Sequence, residues 1–501
     1  MTNLSVSKIV LSFLLLALST KFSSVFAQDS TYSRHQVNSM VEANLYGFSQ
    51  NTPFWFRANQ YSTIPNQLPT LNLRASRHEL RTFRKNNDWK YGYGAAVVLN
   101  AGTKSNLVLP ELYASLRYKI FELYAGRRKE TFGLCDSTLN TGSYSWSGNA
   151  LPMPKITLQV PEYTVVPYTK GWLQFKGSYA HGWFGENRFV SHNFLHQKTL
   201  YLRLGKPQSQ FKWYAGFNHQ VQWGGLANYD ARAVTNDQKF PSDLLAYWYV
   251  ISGSGGKIGK VKKFSAFDST NRVGNHLGTI DIGLEIDLKR SRLFIYRQNI
   301  YEDGSLYYLN SINDGLNGIS FTNLFATRQK GKFSVHKILF EYLNTTSQGG
   351  RDFGTTPGTL GNDNYFNHQQ FRDGWTYQGR IIGTPFVTNR FDSKEKFQGN
   401  DSYNGFENAN NNRVQVYHVG VQGYFGKDIA FLSKISFSKN YGTYGFPYPT
   451  TPRQYSGLLQ VTGKLAYLGG LQWTAATAWD YGGLYDDSFA LRLGVKKTWN
   501  K

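Results

Sequence analysis

The chain is poor in sulfur. Cys135 is its only cysteine in 501 residues, so no intramolecular disulfide can staple the fold. Long apolar runs are equally scarce. Beyond the N-terminal stretch, no segment has the roughly 20 consecutive apolar residues of a membrane helix. Acidic residues are few, with 32 Asp and Glu against 55 Lys and Arg, a formal net charge of +23. Catalytic signatures are missing too. The ten His fall in no HExxH or Cys/His zinc spacing, and no GxSxG elbow occurs. The segment GSGGKIGKV approaches a phosphate loop, but Ser254 replaces the first Gly and Val261 follows Lys260. No enzyme activity, cofactor or metal is therefore expected. The acidic and Asn-rich stretches NDNYFN and DSYNGFENANNN have the wrong spacing and too few acids for calcium, and read as loop chemistry.

The N-terminus carries a different message. Lys8 precedes an apolar run from Ile9 to Leu18, and Val25-Phe26-Ala27 supplies small residues at the peptidase-reading positions. A run of about ten residues is too short to span a bilayer, so residues 1–27 read as a secretory signal peptide cut before Gln28. Sec-type export and a mature chain of residues 28–501 are expected. A large exported chain without disulfides needs another cooperative structure.

Alternation supplies it. In PEYTVVPYTKGWLQFKGSYAHGW, the odd positions Leu173, Phe175, Tyr179 and Trp183 are apolar or aromatic. The even positions Gln174, Lys176 and Ser178 are polar. A period of two is a strand with two unlike faces. The pattern recurs at Trp89–Leu99 and in the hairpin 200–223. It returns in 416–440 around Gly426-Lys427-Asp428, in 458–481 around Gly469-Gly470, and in the terminal strand Phe489–Trp499. Aromatic residues make up 16% of the chain and gather at strand ends. Short turns alternate with long polar loops such as 350–375 and 390–413. Export, girdle-forming aromatics and two-faced strands predict a transmembrane antiparallel β-barrel in the bacterial outer membrane. Its apolar face meets lipid and its polar face lines a wet lumen. At about 10 residues per strand plus connections, the chain suffices for roughly 16–18 strands. One segment departs from the pattern. Ser242 and Asp243 precede Leu244, Leu245, Tyr247, Trp248 and Ile251 at helical spacing, and Gly253 follows, so a short helix at 242–251 is predicted as an interior plug or periplasmic cap.

The positive balance predicts an anionic partner. For an exported barrel this means acidic polysaccharide, lipopolysaccharide or anionic solutes, and not nucleic acid. Aromatic rings stack on sugar CH faces, and Arg and Lys pair with carboxylates or phosphates. On the inward faces, Trp172, Lys176, Arg203, Lys212 and Gln222 are the candidates. In NYFNHQQFRDGWTYQGR they are Tyr365, His368, Arg372, Trp375 and Arg380. Polymer binding and an anion-selective porin both fit these residues.

The segments LCDSTLNTGSYSWSGNALPMPKI, PEYTVVPYTKGWLQFKGSYAHGWF, LHQKTLYLRLGKPQSQ, NHQVQWGG and NYFNHQQFRDGWTYQGRIIGTPF resemble the Wzi family of outer-membrane capsule-assembly proteins. The resemblance runs from about residue 40 to the C-terminus. It implies about 18 strands and a helical element occluding the periplasmic side or lumen. It also implies a monomeric, lectin-like role in attaching capsular or related surface polysaccharide, with outer-membrane lipid and lipopolysaccharide as neighbours. Lys176→Glu or Arg372→Glu is expected to weaken binding of an anionic polymer more at low than at high ionic strength, because exposed charges are screened. Polymer titrations across a salt series check this.

Overall fold

The computed structural model describes residues 35–500 except 84–87, 233–234, 236–237, 255–263, 266, 269–271, 303–305, 307–308, 327–330, 353–360 and 399–407. The proposed signal peptide lies outside the described residues. So do most of the Gly-rich stretch after residue 254 and the first part of DSYNGFENANNN.

Eighteen antiparallel strands form one sheet that closes on itself. They are β1 His35–Phe48, β2 Thr70–Thr82, β3 Trp89–Gly102, β4 Asn106–Tyr118, β5 Phe121–Arg127, β6 Pro154–Val165, β7 Leu173–Trp183, β8 Phe194–Leu204 and β9 Phe211–Trp223. Then come β10 Asn275–Leu288, β11 Ser291–Tyr301, β12 Gly315–Asn323, β13 Phe333–Asn344, β14 Val414–Phe425, β15 Ile429–Asn440, β16 Arg453–Leu465, β17 Leu471–Gly482 and β18 Ser488–Asn500. The last strand seals against the first, from Asn38 opposite Asn500 to Phe48 opposite Ala490. Closure leaves no open sheet edge, as lipid demands.

The faces segregate as alternation requires. On β7, Tyr179 and Trp183 are exposed while Gln174 and Ala180 are buried. The neighbouring outward rows are Leu200 and Leu204 on β8, Phe211, Trp213 and Phe217 on β9, and Ile280 and Ile282 on β10. Ring pairs mark both margins of this belt. Trp89–Tyr118 at 4.6 Å and Phe333–Phe431 at 5.1 Å lie at the short-turn end. Phe437–Tyr455 at 4.8 Å and Phe48–Phe489 at 6.1 Å lie at the other. Such girdles sit where headgroups meet hydrocarbon. Chain direction places the start of β1, the end of β18 and the short turns at one end, which in outer-membrane barrels is the periplasmic one.

The lumen differs from the wet interior predicted above. At the long-loop end it is a packed core. Inward Tyr46, Leu277, Ile300, Leu316, Leu343, Val414 and Ala478, from strands around the circumference, join one buried cluster with loop residues Phe54, Trp55, Tyr144, Trp146, Phe366, Trp375 and Phe386. The loops 49–69 and 128–153 and the described parts of 345–413 fold inward as a plug. Helix α1, Phe54–Arg57, belongs to it, with all three of Phe54, Trp55 and Phe56 buried.

Helix α2, Leu244–Ser252, follows its sequence signals closely. Asp243 caps it by accepting from the Ala246 amide at 2.9 Å, and Gly253 ends it at φ 62°. Its place is different. It arises in the long β9–β10 connection and packs outside the wall, so it neither plugs the lumen nor caps the periplasmic mouth. Its small buried residues, Ala246 and Val250, lie against outward Val221 and Trp223.

Wall side chains hold the deepest plug segment, 132–146, by its backbone. Asp281 accepts from the Leu134 amide at 2.8 Å, and Glu341 from the Thr141 amide at 2.6 Å. Gln298 accepts from the Tyr144 amide at 2.9 Å and donates to the Leu134 carbonyl at 3.0 Å. His418 donates to the Leu139 carbonyl at 2.7 Å, and Lys434 to that of Asn140 at 3.0 Å. Leaving such buried groups unpaired costs about 1–3 kcal/mol each. Gln298→Ala is therefore expected to accelerate amide exchange at Tyr144, which loses its acceptor, while wall amides stay protected, which hydrogen-exchange mass spectrometry reads directly.

Candidate functional site

A cleft of about 700 Å³ opens on the long-loop face. Asn66, Asn187, Arg188, Gln378, Asn389 and Phe391 are among its lining residues. A smaller hollow of about 230 Å³, reaching Arg57, Glu395 and Asp486, shares Asn66, Phe391 and Asp392 with it. The two form one groove across the top of the plug.

Local structure explains its shape. The short strands Thr388–Asn389 and Ala409–Asn411 pair, and Asn411 ties them to the wall by donating to Asn440 at 2.9 Å. The Asn389 side chain then accepts from the Phe391 amide at 3.1 Å, capping the one-turn helix Arg390–Asp392. This turn holds Phe391 outward, 68% exposed. Asn410 locks the following turn by donating to the Phe397 carbonyl at 2.7 Å. On the other bank, Arg188 donates to the Thr376 carbonyl at 2.8 Å and lies 4.7 Å from the Phe184 ring centroid. Asp373 accepts from the Phe189 amide at 2.8 Å.

The floor is charged. Arg57 contacts Asp392 at 2.8 Å and Arg380 contacts it at 3.5 Å. Asn66 donates to the same carboxylate at 3.1 Å and accepts from Arg380. Burial alone would raise the Asp392 pKa, but the two arginine charges outweigh it and hold it below the ordinary value. Burial also pulls Arg380 down to about 10, Asp392 opposing and Arg57 adding to the fall. Within this trio two cations share one anion.

The residues singled out from the sequence divide into three groups. Arg380 reaches the floor of the groove. Tyr365, His368, Arg372 and Trp375 belong to the plug or its edge. Tyr365 and Trp375 are completely buried, donating to Asp314 at 3.0 Å and Asn275 at 3.2 Å. Burial lowers the His368 pKa to about 3, and its ring accepts from the Gln370 and Phe371 amides. Arg372 lies 3.8 Å from the Tyr229 ring centroid. The strand candidates form the third group. Lys176 and Arg203 face inward around Tyr163, at 5.0 and 4.7 Å from its ring centroid. Lys212 faces inward against Glu285 at 2.8 Å and Asp287. These three lie toward the short turns, with the plug between them and the groove. Gln222 is at the opposite end, donating to the Gly374 carbonyl at 2.8 Å. Trp172 corrects the sequence reading: it precedes β7, is exposed in the β6–β7 turn and takes Lys206 5.8 Å from its ring centroid, so it stands at the rim and not in the lumen.

Sequence reasoning missed Phe391, Asn66 and Asn187. A signal for Phe391 existed in Asn389-Arg390-Phe391-Asp392, an Asn cap followed by an exposed ring. Nothing local points to the other two. Among the described residues, no group of three His, Cys, Asp or Glu converges to hold a metal.

An 18-stranded, girdled barrel sealed by its own loops, with a polar groove on the sealed face, defines an occluded outer-membrane barrel. The chain belongs to the family described as capsule assembly protein Wzi, whose model matches residues 18–481. Among solved structures it is similar to Escherichia coli Wzi, described as a carbohydrate-binding β-barrel involved in group 1 capsule assembly. That match has 13% identity and a TM-score of 0.55, covering 98% of this chain and 88% of that one. Pseudomonas aeruginosa OccK3 (OpdO) matches at 11% identity and a TM-score of 0.45, covering 93% and 96% of the respective chains. Acinetobacter baumannii OccAB4 matches at 10% and 0.45, covering 94% and 99%. No curated protein sequence matches the chain.

The Asp392 trio makes a pH prediction. A carboxylate with a depressed folded pKa contributes stability above its unfolded value of about 3.9, and that contribution is lost as pH falls through the folded value. The plug is thus expected to keep its stability from pH 7 to about 5 and to loosen below about pH 4. Asp392→Asn should remove that acid step and cost roughly 3 kcal/mol at neutral pH. Thermal melts in detergent at stepped pH check both.

Proposed function

We propose that this protein binds surface polysaccharide in the groove above the plug and so attaches or assembles capsule-type glycan at the cell surface. The observation that carries the reading is the groove itself: an outward ring, Phe391, among side-chain amides, above a floor where Arg57 and Arg380 pair with Asp392, on a barrel whose lumen is filled. A pyranose can stack on the ring while Asn66, Asn187 and Gln378 meet its hydroxyls. Each unit binds weakly, and a repeating polymer multiplies the contacts. The family relationship and the carbohydrate-binding description of Escherichia coli Wzi support the same reading. We place the protein as a monomer in the outer membrane, with its groove outward. The lumen cations Lys176, Arg203 and Lys212 lie below the plug and are assigned no part in this surface contact, so, contrary to the sequence expectation, Lys176→Glu should leave polymer binding unchanged.

A porin for anionic solutes needs a continuous lumen. The packed core of Phe54, Tyr144, Phe366 and Trp375 opposes conduction and supports attachment.

Deleting the protein is expected to lower cell-bound polysaccharide with total output unchanged. Phe391→Ala or Asn187→Ala, restored to the deletion strain, should reproduce that loss while the barrel still inserts. Measuring cell-bound and released polysaccharide in parallel decides it; unchanged retention rejects the proposal. Planar-bilayer recordings should give little current, and porin-like conductance would favour the channel.

A further inference from the structure

On one side of the barrel the lipid-facing wall is too short. The outward apolar row of β9 runs from Phe211 to Phe217 before His219, and that of β8 covers only Leu200 to Leu204 before Lys198 and His196. With about 3.3 Å per residue and a tilt of about 40°, seven residues give roughly 15 Å of height against a band of about 25 Å. Above this row a polar band interrupts the apolar face before Val221 and Trp223. His196, His219 and His276 point outward, His219 and His276 in contact at 2.9 Å. Yet all three are buried, with Tyr247 of α2 against the His196 ring and the Val273 carbonyl against His276.

The cover is firmly fixed. Tyr247 stacks on Trp223 at 5.1 Å and shares a 2.8 Å hydroxyl contact with Tyr179. Lys198 donates to the Ile251 carbonyl, placing a cation at the helix C-terminus. The sequence of α2, LLAYWYVIS, has no charged residue. Its far side is apolar and uncovered: Leu244 is 87%, Trp248 65% and Leu245 43% exposed. A helix exposing such a face to water would be anomalous.

The geometry points to α2 as a membrane-seated helix that completes the lipid belt, with the acyl layer of the outer leaflet as its partner. The helix continues the belt upward from the Leu200–Phe217–Ile280 row. It shields a polar patch of wall from hydrocarbon, and Trp248 adds an interfacial ring to those of Tyr179 and Trp183 on the neighbouring strand. This contact is independent of glycan binding.

Nitroxide labels at Leu244→Cys and Trp248→Cys, in a Cys135→Ser background, would be read in vesicles of phosphatidylethanolamine and phosphatidylglycerol. The expected ratio of oxygen to nickel-chelate collisions is several-fold above that of a label at Asn187→Cys in the groove. Ratios equal to the groove label would overturn the proposal. So would dipolar broadening at Trp248→Cys that disappears on dilution with unlabelled protein, since it would mean that a second copy covers the face. Should the labelled variants not fold, brominated lipids serve: the intact chain must lose more fluorescence than Trp248→Phe, and equal losses refute the assignment.

Discussion

Buried polar groups on one arc of the wall need partners, and they find them in the plug backbone. Asp281, Gln298, Glu341, His418 and Lys434 sit on the arc of neighbouring strands β10–β15, and all reach the single segment 132–146. A continuous aqueous lumen could solvate these groups in other ways. A dry core cannot tolerate them unpaired. The wall and the plug therefore specify each other. Main-chain amides and carbonyls are used as partners, so the bond geometry demands a path for the chain and leaves most side-chain identities free. Above this layer, aromatic packing finishes the seal, and Gly374 shows how tight it is: at φ 57°, a Cβ there would stand 2.0 Å from the Phe366 carbonyl oxygen.

The barrel was legible because its information is local. Parity along Leu173–Trp183 predicts which side chains meet lipid, and the structure places Tyr179 and Trp183 outward and Gln174 inward. The helix was legible for the same reason, since Asp243 and Gly253 act on their immediate neighbours. Its position was not, because Val221 and Trp223 lie more than twenty residues away and parity cannot say that a loop returns to cover them. The inward folding of the long loops was hidden likewise. Tyr365, Trp375 and Tyr377 have the composition of a sugar-stacking surface and become core, because partners such as Asp314 and Asn275 come from distant strands. Polar content misled in the same way. The Asn-rich run ending at Asn412 reads as solvated loop, but Asn410, Asn411 and Asn412 are buried and bind plug or wall backbone and side chains.

The groove is a by-product of that seal. Once the loops 49–69 and 345–413 are held down, their turns define the outer surface, and Phe391 is the ring that packing leaves over. Its exposure is set by a backbone cap at Asn389 and by the strand pair that anchors it, not by flexibility of the loop. A preformed ring and preformed amides lower the ordering cost of each contact. That matters most for a polymer, because a small gain per unit is multiplied along the chain.

Low sequence identity over a shared barrel follows from the same division of labour. The outward face asks only for apolar bulk at alternate positions, and many residues satisfy it. The inward face asks for hydrogen-bonding groups that meet plug backbone, a demand on position more than on residue type. At 13% identity to Escherichia coli Wzi the barrel fold persists, while side chains that rim the groove are under neither constraint. Those rim positions are thus free to follow the glycan. A variant that exchanges Asn66, Asn187 or Phe391 alters what the groove contacts without disturbing the wall-to-plug bonds, because none of the three takes part in the bonds between strands β10–β15 and segment 132–146.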